Sequence, residues 1–345
     1  MTHRIGIVGL RFGSHILRLM SEGATQSRFT LGGVCDVNPA FAAEEGAKWG
    51  VPAHTSLDAL LEDDEIGVVG LFTQPAGRAQ LLRRIIRAGK DVMTTKPFEL
   101  DVAEAESVLA EARELGRVIH LNSPPAILPE DLRIIERWRE VHDLGRPVSI
   151  HAAVWANYCE EADGSWMDDP ELCPTAPLFR LGIYLLNDLG CLFGLPEEIQ
   201  VMTSRLRTGR PTADNAQMMV RYPNRALGHI AASFCIDDGD RYQNSLSLHF
   251  ENGTIYRNVG GLRLHEPRGE GAELCLVQRG TKGRQVIEAT RVEEMSGSYQ
   301  WGALADAIEA GRGIDAAYAV RLVDSVRILD ALRRSQHAGA GVIRL

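Results

Sequence analysis

Over its first 125 residues the chain alternates short β-branched runs with helical stretches. Such alternation leaves room for little besides a parallel sheet covered by helices, because parallel strands are joined by long crossovers rather than hairpins. Strands are expected at Ile5 to Gly9, Leu31 to Cys35, Val68 to Thr73, Asp91 to Thr94 and Val118 to Leu121. Helix starts are readable between them: Asn38-Pro39 supplies an N-cap followed by proline, and Asp101 to Glu104 has capping-box spacing. Arg83, Arg84 and Arg87 share a helix with Leu81, Leu82, Ile85 and Ile86 and read as its solvated face.

After Pro124-Pro125 the texture changes. Helices are expected at Leu132 to Val141 and Leu178 to Phe193, with a strand at Val148 to Val154. From residue 198 to about 290 successive strands follow, with hairpin signals at Pro223-Asn224 and Asn252-Gly253, and two helices, Tyr299 to Ala310 and Ala317 to Gln336, close the chain. The division falls into a domain over 1–125 and an α+β domain over 126–345. The length of 345 residues suits two domains, each with its own core.

The charge balance, 37 Lys+Arg against 46 Asp+Glu, gives −9 and argues against a broad electrostatic grip on nucleic acid or anionic lipid. With no apolar run long enough to span a bilayer and no signal-peptide pattern at the start, no membrane partner is expected and the cytoplasm is the expected compartment. The six cysteines form no C-x-x-C pair or His-rich motif, so they read as mostly buried thiols and no metal site is expected. The acidic groups Glu160-Glu161-Asp163 and Asp168-Asp169 read as a solvated loop.

Gly6 to Ser14 lies where the first strand turns into the first helix, a setting in which free helix N–H groups hold a pyrophosphate. The spacing follows G-x-G-x-x-(G/A) with Gly9 first, Arg11 in place of the second glycine, and Phe12 and Gly13 leading to Ser14 third. Asp36 ends the second strand, where a carboxylate accepts from adenosine ribose hydroxyls and repels a 2′-phosphate, so NAD is expected ahead of NADP. The alternative role for Asp36 is a turn residue that caps a helix. Thr73 and Pro75 follow the third long strand, Lys96-Pro97 the next, and both ends belong to the carboxyl edge of the sheet, where open α/β folds bind ligands. Proline after Lys96 holds the lysine out of the helical region.

At these residues the chain resembles the glucose-fructose oxidoreductase, inositol dehydrogenase and MocA (Gfo/Idh/MocA) family of NAD(P)-dependent oxidoreductases. The carrying segments are Gly6 to Ser14, Cys35 to Pro39, Ala88 to Val92, Thr95-Lys96-Pro97 in place of Glu-Lys-Pro, and Gly182-Ile183-Tyr184. The resemblance implies an α/β Rossmann domain holding the cofactor and an α+β domain with a large open, mostly antiparallel sheet. It further implies a homodimer or homotetramer through that sheet, and a substrate cleft served by Lys96. Tyr184 stands where the family usually has histidine and Arg180 where it usually has aspartate.

At about 100° per residue, Arg180, Tyr184 and Asn187 fall in one narrow sector of an otherwise apolar helix, in line with Cys191. Such a stripe needs polar partners and lines either a wet cleft or a subunit contact. For alcohol oxidation a base must take the hydroxyl proton as hydride leaves, and Tyr184 with Lys96 suits that task. Arg180 is a candidate for a carboxylate or phosphate on the substrate. Trp155 and Asn157 at the strand opening the second domain, and His120 and Asn122 in the first, are further candidates. The expected activity is hydride transfer between nicotinamide and a hydroxyl or ketone of a sugar, cyclitol or related polyol. Alternatives are a redox-neutral NAD-dependent lyase or glycosidase, and an inactive cofactor-binding regulator.

Overall fold

The computed structural model describes residues 2–21, 25, 27–239, 242–259 and 271–345. They separate into two compact units, Met1–Ile127 with Tyr299–Val326, and Leu128–Ser298 with Arg327–Leu345.

The first unit carries a six-stranded parallel sheet in the order β3-β2-β1-β4-β5-β6. Its strands are β1 His3–Val8, β2 Phe29–Cys35, β3 Ala53–His54, β4 Val68–Leu71, β5 Asp91–Thr94 and β6 Ile119–Leu121; the helices between them are α1 Leu10–Met20, α2 Pro39–Trp49, α3 Leu57–Leu61, α4 Arg78–Arg87 and α5 Val102–Glu114. The expected helix starts are present: Asn38 caps α2 through the N–H groups of Ala40 and Phe41, and Asp101 caps α5 through Glu104. The central strands are buried on both faces, as a doubly covered parallel sheet requires. One core holds Leu71, Ile85, Val92, Val108, Ile119 and Leu322. The other holds Ile5, Ile7, Leu10, Ile16, Val34 and Trp301.

The second unit opens with α6 Glu130–Val141, β7 Pro147–Trp155 and α7 Ile183–Phe193, and continues through β8 Glu198–Ser204, β9 Asn215–Arg221, β10 Leu227–Ser233, β11 Gln243–Phe250, β12 Gly253–Arg257, β13 Ala272–Gly280 and β14 Gly283–Val292. After these the chain returns to the first unit with α8 Trp301–Ala310 and the start of α9 Ala316–His337, whose later part, with β15 Ile343–Arg344, belongs to the second unit. The sheet has nine strands, β14-β13-β12-β11-β7-β10-β9-β8-β15, all paired antiparallel except β7 with β10. The part of the expected strand run that falls on 260–270 lies outside the described residues. The expected helix at Leu178 begins as a π-helical turn, Leu178–Gly182, before α7 settles into α geometry.

Alternation along the strands gives this sheet one buried face and one open one. Ile150, Ala152 and Val154 point inward, whereas His151 is exposed and Ala153 and Trp155 are half-buried. His151, His229 and His249 form a row across β10, β7 and β11, with ring centroids 6.4 Å and 5.5 Å apart.

The cysteines depart from expectation. Cys35 and Cys173 are buried, Cys191, Cys235 and Cys275 are half-buried, and Cys159 is exposed. Among the described residues no helix is long and apolar enough to cross a membrane, and no group of His, Cys, Asp and Glu is placed to hold a metal ion.

Candidate active site

In the first unit, β1 ends at a turn that only glycine fits. Gly9 precedes α1 with φ 85°, and a Cβ there would lie 2.8 Å from the backbone C and O of Phe72. Gly13 meets β1 with equal closeness, since a Cβ would sit 2.9 Å from Ile7 Cγ2. No side chain of its own first turn caps α1. Asp36 does so from the end of β2: its Oδ2 accepts from Leu10 N–H at 2.8 Å and its Oδ1 from Asn38 N–H at 2.9 Å. Asp36 is half-buried and its carboxylate, with four lone-pair sites, has acceptor capacity left for a ribose. Arg11 and Phe12 are exposed on α1, with Phe12 edge-on to Phe72 at 6.0 Å. Val37, beside Asp36, is 89% exposed, an apolar surface that the sequence reading passed over.

Thr73 and Pro75 follow β4. The Thr73 hydroxyl is a buried atom without a hydrogen-bond partner. The Lys96–Pro97 peptide is cis, and Lys96 N–H donates to Asn122 Oδ1 at 3.2 Å, so the ends of β5 and β6 are tied together. Lys96 is half-buried and Pro97 buried. Neighbouring His120 is 7% exposed, its Nδ1 has no partner, and burial lowers its pKa to about 4, so it is neutral at pH 7. The glycine cradle, the acceptor at Asp36 and the orphaned Thr73 hydroxyl fit a dinucleotide at this edge.

Two residues here were invisible to pattern reading. Arg78 is 1% exposed at the start of α4 and donates to the carbonyls of Thr95 at 2.6 Å and Phe98 at 3.2 Å, and also to those of Pro97 and Thr73. Glu99 complements it by accepting from the N–H groups of Gly77, Ala79 and Leu100. The available sequence signal was an arginine set apart from Arg83, Arg84 and Arg87, directly after the Pro75 to Gly77 turn.

In the second unit Arg180 lies on the π turn, where the spacing of 100° per residue assumed for the stripe does not hold, and Tyr184 and Asn187 lie on α7. Tyr184 is half-buried, and its ring lies against Gly297, where a Cβ would stand 3.1 Å from the ring carbons. Asn187 is 4% exposed. Arg180 is held bidentately by Glu160, at 2.6 and 2.7 Å, and its guanidinium lies 4.8 Å from the centroid of Phe234. Arg210 joins them, donating to Glu160 at 2.8 Å, Asp163 at 2.9 Å and Asp168 at 2.6 Å. The acidic stretch is therefore no solvated loop: three of its carboxylates are folded onto two arginines. Hydrogen bonding from Arg210 holds the Asp163 carboxyl far below its ordinary range. Trp155 Nε1 donates to Asp238 at 2.8 Å and the Asn157 amide to Asp237, which pins both candidates to the loop after β10.

Beneath α7 lies a fully buried ionic cluster. Arg257 reaches Asp131 and Asp188, each at 2.8 Å, and donates to Asn244 Oδ1 at 3.1 Å. Burial keeps the Asp188 carboxyl above its ordinary range against the pull of Arg257, and Asp131 adds to the rise.

With this geometry in place, sequence comparison finds the description "Oxidoreductase family, NAD-binding Rossmann fold" matching residues 3–123 and "GFO/IDH/MocA C-terminal domain" matching 133–256. The chain belongs to the GFO/IDH/MocA family of NAD(P)-dependent oxidoreductases. It is 27% identical over 214 residues to trans-1,2-dihydrobenzene-1,2-diol dehydrogenase of Sus scrofa, a match covering 60% of this chain and 59% of the pig enzyme. Against an uncharacterised oxidoreductase of Schizosaccharomyces pombe it is 26% identical and spans 46% of that protein. Among solved structures, an aldose-aldose oxidoreductase from Caulobacter crescentus superposes with a TM-score of 0.76 at 18% identity, covering 100% of both chains. A 3-ketoreductase variant from Actinomadura kijaniata, solved with TDP-benzene and NADP, gives 0.77 at 17% identity, covering 97% of this chain and 98% of that one. At these identities the structural likeness speaks to the fold.

Proposed function

We propose that the protein transfers hydride between NAD(H) and a hydroxyl or ketone of a sugar, cyclitol or related polyol. The observation carrying this reading is the edge of the first sheet. There, a glycine-only turn, a carboxylate with room to accept from a ribose and Lys96, whose N–H is held by Asn122, are gathered at the ends of β1, β2 and β5. Bound NAD supplies the hydride acceptor; the protein's residues bind, orient and handle the proton. In this reading Gly9, Arg11, Phe12 and Gly13 face the pyrophosphate, Asp36 takes the ribose, and Thr73, Pro75 and Pro97 border the nicotinamide end. Lys96 orients the substrate hydroxyl and Tyr184 exchanges its proton, while Asn187, Trp155 and Asn157 contact the substrate.

The Glu160 grip on Arg180 favours a neutral polyol, since an anionic substrate has to displace a carboxylate already bound in the same bidentate manner. In this proposal the unit of Met1–Ile127 with Tyr299–Val326 holds the cofactor and the unit of Leu128–Ser298 with Arg327–Leu345 the substrate, so the expected 126–345 domain gives up its closing helical stretch to the first unit. The open face of the nine-stranded sheet joins two or four copies, in keeping with the His151, His229 and His249 row and the half-buried Ala153. The cytoplasm supplies the NAD pool.

A panel of polyols, sugars and sugar acids followed at the NADH absorbance, with NAD and NADP in parallel and Lys96→Ala as control, tests the reading. Reduced cofactor formed by the parent and lost in the variant supports it. Equal rates in both, or no turnover across the panel, overturn it.

A further inference from the structure

We propose that Arg78 is the positioning residue for Lys96. The inference rests on the hydride-transfer reading only in naming what Lys96 is positioned for. Its basis is a backbone clamp: one guanidinium nitrogen of Arg78 takes the carbonyls of Thr95 and Pro97, the residues on either side of Lys96, together with that of Phe98. The other takes the carbonyl of Thr73 at the end of the neighbouring strand β4. Four carbonyls that leave two strand ends without a ladder partner thus converge on one buried cation. A planar fork reaches them where a lysine ammonium on a flexible stem does not.

The arrangement has a specific consequence for direction. Lys96 N–H is held by Asn122, the residue after β6, and the carbonyls before and after it are held by Arg78 from α4. The backbone around Lys96 is therefore fixed from two sides, and its side chain leaves from a frame with little freedom. Glu99 makes the fork's position reproducible, because it caps the first turn of α4 on which Arg78 sits. The hydrogen bonds of the Arg78 fork go to carbonyls, while Glu99 supports the cation through Coulombic attraction without bonding to it. Burial lowers the Arg78 pKa to about 10, which leaves it charged at pH 7.

The sequence makes a direct test available, because it contains only four lysines, Lys48, Lys90, Lys96 and Lys282. Reductive methylation with ¹³C-formaldehyde gives one resonance set per lysine, assigned by Lys96→Arg, and is read without any substrate. Lys282 is exposed and marks the position of a free side chain, while Lys90, bonded to the carbonyls of Asp63 and Ile66, marks a held one. In the parent the Lys96 resonance is expected apart from Lys282; in Arg78→Lys, whose added fifth resonance is assigned by comparison with the double variant Arg78→Lys/Lys96→Arg, the Lys96 signal should move toward Lys282 while Lys90 stays in place. In turnover, Arg78→Lys should lose at least tenfold in kcat with KM and NAD affinity within threefold. Guanidinium ion should recover part of the loss in Arg78→Ala.

A Lys96 resonance that is unchanged in Arg78→Lys while the melting temperature falls means Arg78 is a packing residue only, and overturns the proposal. A parent resonance that already coincides with Lys282 overturns it whether or not the variants fold. A parent inactive on every polyol overturns the hydride-transfer reading instead, and the lysine resonance still decides the role of Arg78.

Discussion

Glu160 closes on Arg180 with two parallel hydrogen bonds of 2.6 and 2.7 Å, so that this guanidinium is neutralised by the protein's own carboxylate. Counting Arg210, Asp163 and Asp168, the cluster holds two cations and three anions, a net charge of −1.

Glu160→Gln should release Arg180 toward anionic substrates. The ratio of kcat/KM for a sugar acid to that for the corresponding neutral polyol is expected to rise about tenfold, on the order of 1.4 kcal/mol. An unchanged ratio means that Arg180 serves only to fold the loop.

Asp36→Ser removes both the ribose acceptor and the charge that repels a 2′-phosphate. The NADP to NAD affinity ratio, from cofactor titrations, should rise by at least tenfold. The variant also loses the acceptor for Leu10 N–H, which costs about 1 kcal/mol of stability in a urea titration. An affinity ratio that stays put leaves Asp36 as a helix cap alone.

His120 makes the first unit sensitive to acid. Its folded pKa of about 4 lies below its ordinary value of 6.5, so the unfolded chain takes the proton first. Stability is fully retained above pH 6.5 and drains as pH falls toward 4, by on the order of 3 kcal/mol at most. His120→Phe keeps an edge-on ring against Tyr318 and removes an unpartnered nitrogen, so its melting temperature should fall less steeply than the parent's between pH 6.5 and 4. Parallel curves would remove His120 as the cause.

The buried cluster has the opposite sign. A raised Asp188 pKa means the folded protein holds that proton better than the unfolded chain, so its contribution is present at low pH and lost as pH climbs above the ordinary carboxylate range. Asp188→Asn should therefore gain stability relative to the parent as pH rises from 4 to 8. Arg257→Met leaves two carboxylates facing each other and should cost about 3 to 5 kcal/mol. Denaturant midpoints across that pH range check both; an Arg257→Met midpoint equal to the parent's would show the cluster to be inert.

The alternation of strand and helix was readable because each signal is local: a β-branched run, an Asn-Pro start, an Asp three residues before a Glu. The Gly9 turn was readable for the same reason. Arg78, Arg210 and the Arg257 cluster were not, because what defines them is a partner far along the chain. Asp131 and Arg257 are 126 positions apart, Arg210 and Asp168 are 42 apart, and the partners of Arg78 are carbonyls, which no residue pattern displays. The acidic loop was misjudged on the same account: charge runs are solvated by default, and here distant arginines change the default. The π turn at Leu178–Gly182 is set by i→i+5 backbone hydrogen bonds, which no residue pattern displays.

The edge of the first sheet is finished by a residue encoded late in the chain. Tyr318 accepts from Leu121 N–H at 2.9 Å and donates to the Pro124 carbonyl at 3.2 Å, and Trp301 packs among residues of β1 and α1. During synthesis the six-stranded sheet thus leaves the ribosome long before the helices that complete its core. The strands of the second sheet emerge in the interval, so the nascent cofactor unit waits with an open β6 edge for about 170 residues of translation, or on the order of 10 to 30 seconds. Assembly order is consequently written into the segment interruption itself, and a chain stalled before Tyr299 would present that edge to chaperones.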